Sequence, residues 1–186
     1  LYLKRIEGLT RNRRAIRPAS VTARVHRLTR LPGYRDAGFL RTGYHDIEDY
    51  GMIHVVFEDG SVGDIFTSEV VLGGLYAYIE VFANNHRTRC PLSPTGLMDT
   101  FNPRGDQYKD IYLIEKLNTK EGWSQAAPDE SFTVGYLAEM QDFATCALRG
   151  TEPQAGMDLA LDTTALIYAA YLSDERHGAE VDVPRV

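Results

Sequence analysis

Apolar residues recur at helical spacing near both ends of the chain and alternate at strand spacing between them. Tyr2, Ile6 and Leu9 share one helical face, so Leu1–Leu9 reads as a helix, with no capping residue ahead of it. Ala19 to Leu28 alternates: Val21, Ala23 and Val25 lie on one face, Thr22, Arg24 and His26 on the other. A Gly-rich connection, Leu31 to Tyr44, leads to a second alternating run, Tyr50 to Phe57, with Ile53, Val55 and Phe57 on one face. Glu58-Asp59-Gly60-Ser61 follows, and Asp-Gly between alternating runs predicts a hairpin returning through Val62 to about Val71. Gly73-Gly74 breaks that strand; Tyr76–Ala83 predicts another, turned by Asn84-Asn85 into Arg87–Leu92.

Pro94–Asp110 is rich in Pro, Gly and Asn and reads as loop, Ile111–Leu117 as a strand, and Gly122–Ala126 as its partner. Two helices close the chain. Val134–Leu148 gathers Tyr136, Leu137, Met140, Phe143, Ala144, Ala147 and Leu148 on a broad apolar face and stops at Arg149-Gly150, with Pro153 beyond. Met157–Arg176 points Leu159, Thr163, Leu166, Ile167 and Ala170 inward and ends at Gly178; Glu180–Val183 suits a short edge strand before Pro184. Strands first, helices after, and hairpin connections predict an α+β fold: a largely antiparallel open sheet with helices covering one face. The other face is not cleanly polar. It offers Tyr50, Met52, His54 and Val56, then Phe66, then Tyr76, Tyr78 and Phe82, on strands expected to be neighbours. Such a patch marks an oligomer interface, or else is covered by the chain's own 94–110 loop.

At 186 residues the chain suits one domain with a core that needs no disulfide or metal. Two cysteines, Cys90 and Cys146, give no disulfide framework and point to a reducing, cytoplasmic setting. No apolar run reaches membrane-spanning length and no signal peptide opens the sequence, so no membrane partner is expected. The net charge of −6 argues against nucleic acid as a partner. The charge is uneven, however. Residues 1–41 carry eleven Lys/Arg and two acids, which reads either as a phosphate-binding basic arm or as a basic strand and loop beside an acidic remainder.

No G-x-G-x-x-G, Walker, H-E-x-x-H, Cys-x-x-Cys or G-x-S-x-G motif occurs, so a complete dinucleotide site is not encoded here. The densest polar cluster is Tyr44-His45-Asp46-Ile47-Glu48-Asp49-Tyr50, where a long loop enters a strand. Its carboxylates and imidazole suit acid–base work, a grip on sugar hydroxyls, a metal together with His54, or simply the satisfaction of loop backbone. A second cluster, Asn102–Tyr108, offers Arg104 as an anion clamp or as a solvated loop residue. Trp123, the sole tryptophan, reads as a core anchor rather than a stacking platform.

Several segments taken together carry a resemblance. They are the Ile47–Gly63 run with its E-D-Y-G and F-E-D-G-S-V-G pieces, Ile79–Ala83, Gly122-Trp123-Ser124 with Pro128-Asp129-Glu130, Gly135–Phe143, and Tyr168–Ser173. In this order they resemble the C-terminal domain of the glucose–fructose oxidoreductase, inositol dehydrogenase and MocA (Gfo/Idh/MocA) family over nearly the whole chain. The resemblance implies residues 1–186 as a single substrate-binding and oligomerisation domain of an NAD- or NADP-dependent oxidoreductase. The substrate would be a sugar, inositol or related polyol, and the assembly a homodimer or homotetramer. The nucleotide would be bound mainly by an N-terminal Rossmann domain outside this sequence, and no cofactor is expected on this chain alone. The family's lysine and its Asp/His pair would precede Leu1, so no catalytic residue is assigned here, and no metal is expected. Tyr44, His45, Asp46, Asp49 and Arg104 are the candidate substrate contacts. Tyr50, Met52, His54, Phe66, Tyr76, Tyr78 and Phe82 are the candidate oligomer interface. A noncatalytic sugar-sensing or assembly module on the same fold is the alternative.

Overall fold

The structure, a computed structural model, describes residues 1–40, 46–93, 98–108, 110, 119–125 and 130–185. Helix α1 (Tyr2–Asn12) is followed by strands β1 (Pro18–His26), β2 (Tyr50–Phe57), β3 (Val62–Ser68), β4 (Tyr78–Phe82), β5 (Arg87–Pro91), β6 (Asp99–Asn102) and β7 (Gly122–Gln125). Helices α2 (Glu130–Thr133), α3 (Tyr136–Arg149) and α4 (Met157–Glu175) come next, and β8 (Val181–Asp182) closes the order. The fold is α+β with antiparallel sheets, as the pattern predicted. It forms two compact units: Leu1–Arg35, Thr42–Val70 and Glu152–Val186 make the first, Asp36–Arg41 and Val71–Thr151 the second.

The first unit is built on a four-stranded sheet in the order β3-β2-β1-β8. β1 pairs with β2 from His26↔Tyr50 to Pro18↔Phe57, with one irregularity between Pro18 and Ser20. This register sets Val21 opposite Val55 and Ala23 opposite Ile53. Helix α4 packs on that face with Ala165, Leu166, Ala169 and Ala170, and Val181 and Val183 complete the core. Val21, Ala23 and Val55 are at most 1% exposed. Burying a side chain of valine or leucine size contributes about 1.5–3 kcal/mol, so this seam supplies much of the unit's stability. The small Ala side chains of α4 allow the helix to lie close on the strand. Two of the residues expected to face inward do not: Thr163 is exposed and Ile167 is half exposed, because the buried stripe runs through 165, 166, 169, 170 and 173 instead.

β8 covers only Ser20 and Val21 of β1. Beyond it, the open edge of β1 is capped by side chains from the end of α4. The amide of Ala23 donates to Ser173 Oγ at 2.9 Å and that of Val25 to Asp174 Oδ1 at 3.0 Å. Ser173 is fully buried and its hydroxyl donates in turn to Ala179 O at 2.6 Å.

The β2–β3 hairpin closes where Asp59-Gly60 predicts it. Gly60 N donates to Phe57 O at 2.9 Å and Gly60 takes the left-handed conformation, φ 80°, that a residue with a Cβ resists. Asp59 accepts from Ser61 N (3.1 Å), Ser61 Oγ (2.7 Å) and Lys4 Nζ (2.8 Å), so the turn is tied to α1. The hydrogen bond from Lys4, then those from Ser61, hold the Asp59 carboxyl down to about 2. Helix α1 stops at Arg13, in a left-handed C-cap, and the chain folds back over Gly8. A Cβ on Gly8 would stand 2.6 Å from Ile16 N and closer still to Arg14 O.

In the second unit, β4 and β5 form one two-stranded sheet and β6 and β7 another. β6 lies inside the 94–110 segment expected to be loop and pairs with β7; the strand expected over Ile111–Leu117 lies outside the described residues. Asn102 anchors this pairing, donating from Nδ2 to Lys120 O (2.9 Å) and Ser124 Oγ (2.7 Å) from a site 1% exposed. α3 ends at the left-handed Gly150, as its stop signal predicted, and starts after Gly135, also left-handed, rather than at Val134.

Three expectations are therefore corrected. Among the described residues the strands form three sheets rather than one: Tyr78 and Phe82 are on the β4–β5 hairpin, Tyr50, Met52, His54 and Phe66 on the four-stranded sheet, and Tyr76 precedes β4 rather than lying in it. The return strand, expected to run to about Val71 and break at Gly73-Gly74, stops already at Ser68, ahead of both positive-φ glycines. Trp123 is not a core anchor; it is 74% exposed, edge-on to Phe101 with ring centroids 5.5 Å apart.

Two predictions follow from these contacts. Gly8→Ala forces the fold-back to move, and urea denaturation should show a loss of about 2 kcal/mol. Because the folded Asp59 carboxyl titrates below its unfolded value, its contribution is present above about pH 4 and lost as pH falls toward 2. The group is partly exposed, so the screened contribution is on the order of 1 kcal/mol or less. Asp59→Asn should flatten that part of the acid limb.

Candidate functional site

The polar cluster at the head of β2 resolves into residues with different duties. Asp49 is buried, 4% exposed, and its carboxylate is spent on backbone. Oδ1 accepts from Leu28 N at 2.6 Å; Oδ2 accepts from Thr29 N at 3.0 Å and Thr29 Oγ1 at 2.6 Å. Leu28–Arg30 is a single 3-10 turn, and Asp49 satisfies its leading amides as a helix N-cap does. Its own amide donates to His26 O (3.0 Å) and its carbonyl accepts from Glu69 N (2.8 Å), which fixes where β1, β2 and β3 end. Burial pushes the Asp49 carboxyl up, but the bonds from the Thr29 hydroxyl and amide and the Leu28 amide outweigh it and hold it below the usual value.

Asp46 differs. Its side chain is exposed, and its carbonyl accepts from Arg27 Nη2 at 2.8 Å. Glu48, between them, accepts a hydrogen bond from the Tyr171 hydroxyl of α4, which raises the tyrosine's pKa. Tyr44 and His45 lie outside the described residues. The described part of the cluster therefore joins a loop to the start of β2 and to α4, with Asp46 as its exposed carboxylate. Glu48 and Tyr171 were not singled out from the sequence; 123 residues separate them, and no local pattern signals such a pair.

Arg104 belongs to the second unit. Its guanidinium is gripped by Asp106, Nη2 to Oδ2 at 2.7 Å and Nε to Oδ1 at 3.2 Å, both side chains exposed. An anion there would compete with a carboxylate two residues away.

The open face of the four-stranded sheet carries the first-unit members of the candidate interface. The register puts Met52 opposite Phe66 and His54 opposite Asp64. Met52 and Phe66 are 55% and 64% exposed, and Tyr50 meets Phe66 edge-on at 5.4 Å. His54 Nδ1 lies 2.7 Å from Asp64 Oδ1. On the β4–β5 hairpin, Arg89 stacks over Tyr78 (4.1 Å) and Arg87 over Phe82 (4.9 Å), with Arg87 Nε also 2.7 Å from Glu80. Among the described residues no group of three or more His, Cys, Asp or Glu is placed to hold a metal, and no helix is long and apolar enough to cross a membrane.

No protein-family model and no curated protein matches the sequence. Solved structures do. The NAD complex of GenD2 from gentamicin A biosynthesis superposes with a TM-score of 0.72 at 20% identity, over 91% of this chain and 42% of its own. myo-Inositol 2-dehydrogenase from Lactobacillus plantarum gives 0.60 at 18%, over 95% and 45%. A probable dehydrogenase from Thermotoga maritima gives 0.59 at 19%, over 90% and 44%. The fold is that of a portion of Gfo/Idh/MocA-type dehydrogenases, as the sequence motifs indicated, and the chain spans less than half the length of these proteins.

The bonding of Asp49 makes a prediction. Asp49→Asn replaces a carboxylate facing three donors with an amide that can accept through only one atom. Stability should fall by about 2 kcal/mol, measured by chemical denaturation. In the wild-type chain this contribution is present above the ordinary carboxyl range and lost as pH drops through it; the variant should lack that dependence.

Proposed function

We propose that this chain is the C-terminal substrate-binding and oligomerisation domain of an NAD(P)-dependent oxidoreductase acting on a sugar, inositol or related polyol. The observation that carries this is coverage: 91% of the chain shares its fold with 42% of an NAD-bound enzyme, leaving room for a nucleotide-binding half elsewhere. Similar folds occur in a myo-inositol dehydrogenase and in levoglucosan dehydrogenase bound to NADH and L-sorbose. The two free cysteines agree with a cytoplasmic setting.

Hydride transfer needs a nicotinamide held beside the substrate, and no Gly-rich nucleotide loop occurs in these residues. The chain by itself therefore binds NAD or NADP weakly and turns over no polyol. Within a longer parent polypeptide, sequence ahead of Leu1 supplies the G-x-G-x-x-G loop. There Asp46, with His45 and Tyr44 beside it in sequence, contacts substrate hydroxyls. Asp46→Ala or His45→Ala in that parent should raise KM or lower kcat about tenfold, roughly 1.4 kcal/mol. Unchanged kinetics in both variants would refute the substrate role, and micromolar NAD(P) affinity of residues 1–186 in calorimetry would refute the division of labour.

The open face with Tyr50, Met52, His54 and Phe66 serves as the contact between two copies. A charge placed there would meet its twofold mate in a desolvated setting. Met52→Glu should shift the chain from dimer or tetramer toward monomer in sedimentation while circular dichroism stays unchanged; a wild-type monomer at tens of micromolar refutes the interface.

A further inference from the structure

Part of the basic excess of the first 41 residues is gathered in one place. Arg5, Arg13, Arg14 and Arg17, joined from the far end of the chain by Arg185, line one cleft of about 300 Å³ with Leu9, Ala15 and Asp158. Five guanidiniums in one cleft repel one another unless anions stand between them. Three carboxylates partly do so. Arg5 pairs with Asp158, Arg17 Nε with Asp162 at 3.0 Å, and Glu58 serves two partners at once, Arg14 Nη2 at 3.2 Å and Arg185 Nη2 at 2.5 Å. Arg13 has no ion-pair partner among the described residues. Its backbone is the left-handed cap of α1, φ 56° and ψ 19°, held by amide bonds to Gly8 O and Leu9 O. Among the described residues the cluster is thus two negative charges short of balance, on a rim whose backbone at Arg13 is fixed.

We propose that this cleft is a binding site for a phosphate group, taken from a phosphorylated small molecule and held between Arg13 and Arg185, with Arg14 released in part from Glu58 to join them. A dianion supplies the missing two charges. Its oxygens match the planar fork of guanidinium donors better than a monoanion or a neutral sugar does. All the lining residues belong to the first unit, so the site is complete within it. It is separate from the cluster at the head of β2, and the inference stands whether or not the reading of the chain as a dehydrogenase domain holds.

The test is calorimetric titration of the 186-residue chain with inorganic phosphate, pyrophosphate and ADP at physiological salt. Saturable one-to-one binding with a Kd below about 1 mM is expected for at least one of them, strongest for pyrophosphate or ADP. Preference for ADP over pyrophosphate identifies a nucleotide as the source of the phosphate; equal affinity identifies the phosphate group alone. Arg13→Gly removes the unpaired guanidinium while suiting the left-handed backbone, and Arg185→Ala removes the competitor for Glu58. Each should weaken binding about five- to tenfold, and the pair should abolish it, with thermal unfolding of the free protein within a few degrees of wild type. Arg11→Ala deletes a charge of the same helix that pairs with Glu7 outside the cleft, and should leave the affinity unchanged. Two results would overturn the proposal: no binding of any of the three probes up to about 10 mM, or an equal loss in the Arg11 variant, which would mark diffuse attraction to a basic surface.

Discussion

Strand β1 is the element on which the first unit rests, because β2, β8 and α4 are all fixed against it and β3 is held through β2. β2 is paired along its whole length, α4 lies on its apolar face, and its second edge is shared between β8 and the last turn of α4. A strand edge beyond the reach of its neighbour would leave amides of Ala23 and Val25 unpaired next to a dry core. An unsatisfied buried amide costs about 1–3 kcal/mol. Ser173 and Asp174 remove that cost with side chains rather than another strand, and in doing so they fix the rotation of α4 about its axis. The stripe of Ala165, Leu166, Ala169 and Ala170 then has only one way to meet Val21 and Val55.

Acidic side chains do the same kind of work elsewhere. Asp49 caps a 3-10 turn, Asp59 closes a hairpin and reaches Lys4, and Asp174 caps a strand edge. Each accepts from at least one backbone amide, a geometry in which ionised carboxylate makes hydrogen bonds about twice as strong as neutral partners do. For a chain with net negative charge this matters: the acids that hold the fold are engaged with donors, while Asp46 remains exposed at its side chain. That division separates Asp46 from Asp49, three positions away, more sharply than residue type does.

Much of the first unit was legible in the sequence because its signals are local and periodic. The alternation from Tyr50 to Phe57 and the Asp-Gly turn place β2 and the start of the return strand to the residue, although that strand ends at Ser68 rather than near Val71, and Glu180–Val183 contains the edge strand β8. The second unit was less legible. β6 is four residues long and lies among Pro, Gly and Asn, and its pairing with β7 depends on the buried side chain of Asn102 rather than on periodicity. Within the polar cluster, position in the sequence located the residues but not their roles. The bond from Thr29 to Asp49 and that from Tyr171 to Glu48 join residues 20 and 123 apart, and separations of that order leave no trace in a local window.

The helices show why inside and outside were harder to read than helix and loop. α4 is apolar on nearly every side. Its packed stripe is buried, yet Met157, Ile167 and Tyr168 are 74%, 50% and 71% exposed. On α3 the face containing Leu137, Met140 and Leu148 is amphipathic in the ordinary sense and still 58% to 89% exposed. Helical periodicity states a demand for apolar cover without naming what supplies it. In a self-sufficient fold the two coincide, and the inward face can be deduced from the sequence. On α4, Thr163 and Ile167 were assigned inward because its apolar spacing admits more than one stripe. The hydrogen bonds of Ser173 and Asp174 choose between those stripes. Two polar residues at the end of the helix thus help hold it in the rotation that turns one of its apolar stripes into core.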